Sequence, residues 1–291
     1  MSKKSGPSLR QINKFRRVVL DYFDKNGRHN LLWRETRDPY KILVSEIMLQ
    51  QTQVDRVVPY YDKFLRAFPT VQRLGRSELS KVLTLWSGLG YNRRAKLLRD
   101  CAKEIVEKYG GTVPRDRAAL ESLPGIGPYT AGAVRAFAWN EPDVFIETNI
   151  RTAFLHHFNV PHLTHGRKKS GTVRDEEILE IAKRAAQGQE ARRWHWALMD
   201  YGAHLKRSGV KLNQKSAHYT KQSKFEGSIR QIRGAILRAL KTPASKPQII
   251  SRCHLESQVT PRGQEFDKAL VSLERDGLIS KQKGKWRISE A

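Results

Sequence analysis

Cysteine is almost missing from this chain of 291 residues: only Cys101 and Cys253 occur, far apart. Two widely spaced thiols build neither a disulfide framework nor a four-cysteine zinc or iron–sulfur site. Acid is the second shortage. Asp and Glu number 29 against 54 Lys and Arg, a formal charge of +25. The basic residues are spread along the chain rather than gathered in a tail, which points to a charged face on a folded body. A charge this far from zero works against a compact fold, and its natural counterpart is a polyanion. Nucleic acid fits best, because neutralising phosphates releases counterions; a merely solubilising surface is the plain alternative. Long apolar runs are absent too. Nothing approaches the roughly 20 apolar residues of a membrane span, and the opening "MSKKSGPSLR" has no signal-peptide core. An intracellular monomer without a membrane partner is expected.

Strand-like alternation is also lacking before about residue 278, and helical periodicity takes its place. "INKFRRVVLDYFDKNG" repeats apolar residues at three- and four-residue steps and stops at Gly27. "PYKILVSEIMLQQTQVDRVVPYYDKFLRAF" reads as two helices broken near Gln51–Thr52. "SELSKVLTLW" opens with a capping-box-like Ser77. "RRAKLLRDCAKEIVEKYGG" is an amphipathic helix closed by glycines. Helical patterns continue through "YTAGAVRAFAW", "TNIRTAFLHHF", "DEEILEIAKRAAQ" and "ARRWHWALMDYGAHL". The spacing predicts an all-α body over residues 1–205, a basic linker over 206–227 and a small α+β unit over 228–291. In that last unit "IRQIRGAILRALK" is one helix, "KPQIISRC" a shorter one, and "GQEFDKALVSLERDG" a third with Phe266, Leu270 and Leu273 on one face. "LISKQ" and "KWRIS" then flank Lys283–Gly284 as a two-stranded wing, an architecture resembling a winged helix. Such a unit contacts DNA through its third helix and wing, or simply braces the body.

Two carboxylates stand out. Glu147 follows an apolar run in "VFIETNIRT", beside Thr148, Asn149 and Arg151. The bland account is a helix N-terminus with Thr148 as cap. Glu46 lies between Val44 and Ile47–Leu49 in an otherwise apolar stretch, where burial would raise its pKa; an ordinary exposed helix acid is the alternative. "LPGIGPYTAGAV" is the most specific stretch. Pro124, Gly125, Gly127 and Pro128 make a tight hairpin that lets backbone approach closely, and the helix after it can receive a DNA phosphate. His156, His157, His162 and His165 show no metal spacing and read as structural residues or phosphate contacts.

The hairpin is the helix-hairpin-helix pattern, and Glu147 follows Gly127 by twenty residues. That spacing resembles the helix-hairpin-helix (endonuclease III superfamily) DNA glycosylases. With "SEIMLQQTQV" and "LWSGLGYNRRAKLL" in order before it, residues 10 to 205 resemble the MutY-type adenine DNA glycosylases. The resemblance implies a two-lobed helical fold and double-stranded DNA as partner. It makes Glu46 the general acid and base, Gln50 and Gln51 the residues wedged into the base stack, Tyr91 an intercalating aromatic, and Tyr129 a pocket residue assisting the transition state. Glu147 takes the place of the carboxylate that stabilises the sugar cation, ionised, with Asn149 and Arg151 beside it at the DNA. The chemistry is coherent: a departing base needs an acid, an oxocarbenium-like sugar needs a carboxylate, and the base must first leave the stack.

Three departures qualify it. The family's four-cysteine loop should follow "ALMDYGA", yet "HLKRSGVKLNQKSAHYTKQSKFEG" contains no cysteine. No iron–sulfur cluster is expected, and the only ion left open is a monovalent cation at the hairpin. The C-terminal residues do not look like the domain that reads 8-oxoguanine. Glu147–Thr148 stands where the family has Asp–Gly, and one methylene displaces a carboxylate by about 1 Å. A monofunctional glycosylase acting on mismatched adenine is the expectation, with hypoxanthine, uracil or thymine as alternatives. The competing class is a DNA-binding relative that has lost the chemistry.

Overall fold

The computed structural model describes residues 6–158, 173–217, 224–258 and 263–290. His162 and His165, and residues 218–223 of the basic stretch, lie outside the described residues. Among those described, fourteen α-helices and one two-stranded hairpin make up the regular structure, as the helical periodicity requires. The chain divides into two compact units, Met1–Ile42 with Gly127–Lys221, and Leu43–Ile126 with Gln222–Ala291.

The first unit contains α1 (Leu9–Asn26), α8 (Pro128–Trp139), α9 (Thr148–His157), α10 (Asp175–Ala186) and α11 (Ala191–Arg207). Helix α1 starts at a Ser8/Gln11 capping box and buries Ile12, Phe15, Val19 and Phe23, one stripe at helical spacing. Phe15 meets the rings of Phe154, Phe158 and Trp194 at centroid distances of 4.9, 5.1 and 5.9 Å, so three helices share one aromatic core. Asp200 of α11, 2% exposed, accepts from both Arg34 nitrogens at 2.8 and 2.9 Å and from the Arg28 backbone N–H at 2.8 Å. Burial works to raise its pKa, but these partners outweigh it and hold the carboxylate below its usual range.

The second unit contains α3 (Val54–Ala67), α4 (Val71–Gly75), α5 (Leu79–Trp86), α6 (Arg93–Tyr109) and α7 (Arg117–Glu121). It also holds α12 (Ile229–Ala239), α13 (Lys246–Ser257), α14 (Gly263–Arg275), β1 (Ile279–Gln282) and β2 (Lys285–Ile288). Helix α2 (Pro39–Leu49) begins in the first unit and ends in the second. Phe64 packs on Phe68 and Trp86. Phe266, Leu270 and Leu273 are buried along α14, the face their spacing indicates. The strands pair antiparallel with Ile279 opposite Ile288 and Gln282 opposite Lys285. Their turn, Lys283–Gly284, has positive φ at both residues, the backbone of a two-residue hairpin.

Some local expectations are overturned. Ser77 does not cap α5: its hydroxyl donates to the Leu74 carbonyl at 2.6 Å, and the N-cap is Glu78, with no side-chain bond. Helix α13 is not the short one. It opens on a Ser245/Gln248 capping box and runs twelve residues to a left-handed Gln258. The basic stretch after residue 205 is more than a connector in its described part. Helix α11 continues to Arg207, a 3-10 turn spans Leu212–Lys215, and Ser216 bridges to Val173.

Candidate functional site

In the second unit the sequence candidates cluster around the end of α2. Glu46 lies in the helix interior and is 4% exposed, unusual for a carboxylate. Gln50 follows one turn later, on the same helix face by spacing. Gln51 then takes a left-handed backbone, φ +54°. Tyr91, in the loop before α6, also has φ +49°. Residues other than glycine rarely hold such a conformation without a reason.

The reason is a residue the sequence reading passed over. Arg94, buried on α6, donates through Nη1 to the carbonyls of Ile47, Met48 and Gln50 at 2.8, 2.9 and 2.5 Å. Through Nη2 it reaches Thr52 Oγ1 and the Gly90 carbonyl, both at 3.1 Å. One guanidinium thus satisfies the C-terminal carbonyls of α2 and ties the 50–52 corner to the 90–91 loop. Its planar fork lies 5.3 Å from the Trp86 centroid and 5.5 Å from that of Tyr91. Burial lowers its pKa to about 10, which leaves it charged at neutral pH.

The hairpin assigns its glycines different work. Gly125 has φ +79°, and a Cβ there would meet the Leu97 side chain at 2.9 Å, so only glycine fits. Gly127, the N-cap of α8, has φ −97°, and a Cβ would meet nothing within 4 Å. The fold does not need its missing side chain.

In the first unit Glu147 ends an extended segment and is itself the N-cap of α9. Its Oε1 accepts from the backbone N–H of Asn149 at 2.8 Å and of Ile150 at 2.7 Å, and its Oε2 from Asn149 Nδ2 at 3.2 Å. Thr148, the expected cap, is the first helical residue; the longer glutamate side chain reaches past it to the N–H groups. The ionised state that the resemblance implies is opposed by its surroundings. Burial raises the Glu147 pKa above its ordinary value, although both N–H bonds and the charges of Lys206 and Arg151 pull downward.

Its neighbours are committed inside the protein. The Asn149 amide donates to Glu147 and accepts from Lys206 Nζ at 3.2 Å. Arg151, expected at the DNA, is buried in a bidentate pair with Asp175 at 2.6 and 2.7 Å. Helix α11 approaches so closely at Gly202 that a Cβ would sit 2.0 Å from the Asn149 carbonyl oxygen. The segment leading to Glu147 is held by rings: Phe145 stacks on His195 at 4.0 Å, and half-buried Tyr129 meets Phe145 edge-on at 5.4 Å. His195, driven by burial to a pKa of about 4 and hence neutral, bonds the Asp143 carbonyl through Nε2 at 2.8 Å. The helical pattern of "ARRWHWALMDYGAHL" marks α11 itself; nothing in hydropathy marks Arg94, Lys206 or His195.

A helical protein with a buried helix acid, a left-handed corner after it, a glycine hairpin and a helix-capping acid twenty residues on points to a class. The chain belongs to the HhH-GPD superfamily of base excision DNA repair proteins, the match spanning residues 44–193. Within that class it is similar to adenine DNA glycosylases. One, from Buchnera aphidicola subsp. Baizongia pistaciae, is 40% identical over 146 residues, 50% of this chain and 42% of that protein; the aligned part is thus under half of that relative's length. Another, from Mycolicibacterium smegmatis, is 32% identical over 278 residues, 90% of this chain and 91% of that protein. Among solved structures, a thermostable thymine-DNA glycosylase aligns with a TM-score of 0.59 and 26% identity, over 72% of this chain and 97% of that one. An iron–sulfur cluster does not fit the residues after α11: no cysteine occurs between Ala203 and Ser251.

Proposed function

We propose that this chain is a monofunctional DNA glycosylase that flips a mispaired base, adenine first among candidates, from double-stranded DNA and hydrolyses its N-glycosidic bond. The observation that carries the reading is Glu46: a carboxylic acid buried inside α2, one turn before Gln50 and Gln51. A carboxylic acid at that point of the helix can give a proton and take one back. In its acid form Glu46 gives a proton to the departing base, the glycosidic electrons leave with that base, and the sugar becomes cationic. Water then adds to the anomeric carbon and returns a proton to the Glu46 carboxylate. Glu147, as carboxylate, offsets the sugar cation. Tyr129 borders the base pocket, Gln50, Gln51 and Tyr91 fill the vacated stack, and Gly125 and Gly127 admit the phosphate backbone. Asn149 and Arg151 act here through Glu147 and α9 rather than by touching DNA.

Lyase chemistry is left out because Tyr129 stands where a Schiff-base lysine would be needed, and a phenol forms no imine. A second reading, excision of mispaired thymine, draws on the similarity to the thymine-DNA glycosylase; hypoxanthine and uracil remain further alternatives, and a non-catalytic DNA-binding relative is the competing class. Duplexes carrying adenine, thymine, uracil or hypoxanthine opposite each base, scored for abasic sites, test all of these. Excision of mismatched adenine is expected, with no borohydride-trapped adduct. A panel without any abasic product overturns the enzyme reading.

A further inference from the structure

Two guanidinium groups lie against the Tyr91 ring. Arg94 lies 5.5 Å from its centroid, and Arg230, from the start of α12, lies 5.4 Å from it. Arg230 Nη1 also donates to the tyrosine oxygen at 2.7 Å. Helix α12 is fastened to the same corner at a second point. Asp276 accepts from Arg233 of α12 at 2.6 Å and lies 3.9 Å from Arg93, two residues after Tyr91. Both attachments lie within one compact unit. The first borders a cleft of about 1130 Å³ whose lining includes Gln51, Arg56, Tyr91, Phe225, Arg230 and Arg238.

We propose that Arg230 is a positioning residue for Tyr91, through which the C-terminal helices fix the direction in which that ring is presented to DNA. The inference rests on the proposed role of Tyr91 as an inserting aromatic. A half-exposed tyrosine turns about two side-chain torsions, and ordering it at the moment of binding costs affinity. A hydrogen bond and a cation–π contact made beforehand remove most of that cost. The rival role for Arg230 is a direct bond to phosphate, which needs no Tyr91 at all.

The two roles separate in a double-mutant cycle. The probe is a duplex with a tetrahydrofuran abasic analogue beside 2-aminopurine, read by fluorescence rise at saturating protein and by Kd against an undamaged duplex. Arg230→Ala should cut the fluorescence rise and weaken lesion binding about tenfold, leaving undamaged duplex unchanged, and should add nothing in a Tyr91→Ala background. Arg230→Lys should restore part of the signal. Equal losses in both backgrounds, equal loss on undamaged DNA, or no loss at all overturns the proposal. Should Arg230→Ala fail to fold, Tyr91→Phe removes only the accepting oxygen: a reduced rise upholds the proposal and a wild-type rise overturns it. The readout needs no base excision, so coupling without abasic product sinks the glycosylase reading alone, and excision without coupling sinks this inference alone.

Discussion

The Glu147 corner and the Gln51–Tyr91 corner place candidate side chains by opposite means. Around Glu147 the work is distributed: two backbone N–H groups, an asparagine amide, a stacked imidazole and a close helix–helix approach at Gly202 each hold part of it. Around Gln51 and Tyr91 one buried guanidinium, Arg94, serves five acceptors. The distributed corner should degrade in steps, and the concentrated one should fail at once. Removing that buried cation strips a donor from all five at once, although the Gly90 carbonyl keeps the Trp86 indole and the Gln50 carbonyl keeps the Thr52 hydroxyl.

The largest effect should therefore come from Arg94→Met, which keeps the stem and deletes the donors. It should cost about 3–5 kcal/mol of stability in urea unfolding, and Arg94→Lys should recover little because an ammonium cannot span that fork. A loss below about 1 kcal/mol would mean the two loops are held by something else. Next is Gly202→Ala, which drives a methyl group against the Asn149 carbonyl; about 3 kcal/mol is expected. Gly127→Ala is its control and should stay within about 0.5 kcal/mol, since nothing lies within 4 Å of that position. If the two substitutions cost the same, close approach at Gly202 is not what sets α9.

Glu147→Gln follows. Its amide oxygen can still accept from the helix end, so stability should fall by less than about 1 kcal/mol. The single-turnover rate should drop at least about a hundredfold with the loss of charge, while Glu147→Asp retains measurable activity. Wild-type cleavage by Glu147→Gln would leave the residue a helix cap and nothing more.

The smallest effect is the dependence on pH. Because the folded pKa of Glu147 is raised, its contribution to stability is fully present below the unfolded value and is lost as pH rises through the folded one. The proposed mechanism uses the ionised form, so rate and stability should run in opposite directions over that window. The acid limb of the rate profile should lie above the ordinary glutamate range and vanish in Glu147→Gln. A limb within the ordinary range would place the controlling proton elsewhere.

Legibility followed the kind of interaction. The stripe Ile12, Phe15, Val19 and Phe23 and the face Phe266, Leu270 and Leu273 were readable because each helix records its own buried side in its spacing. The hairpin glycines were readable as a motif, but the division of labour between Gly125 and Gly127 was not. Ser77 misled because a hydroxyl beside a helix start bonds whichever acceptor is nearer, here Leu74. Arg151 misled because one charged residue in a basic chain looks like any other until Asp175, twenty-four positions away, is brought against it.

The sequence by itself determined the helical architecture, the excess of positive charge, the lack of an iron–sulfur ligand set, and the places of the candidate residues Glu46, Gln50, Gln51 and Glu147 in the chain. These follow from composition, local periodicity and short-range spacing. Only the tertiary structure decided what the charged side chains do. It made Arg94 the fastener of two loops, set Arg230 against Tyr91, paired Arg151 with Asp175, and turned Glu147 into a helix cap with a raised pKa. The physical reason is range. A buried apolar face needs only its own helix to be recognised, whereas a buried charge takes its role from partners that folding alone brings within 3 Å.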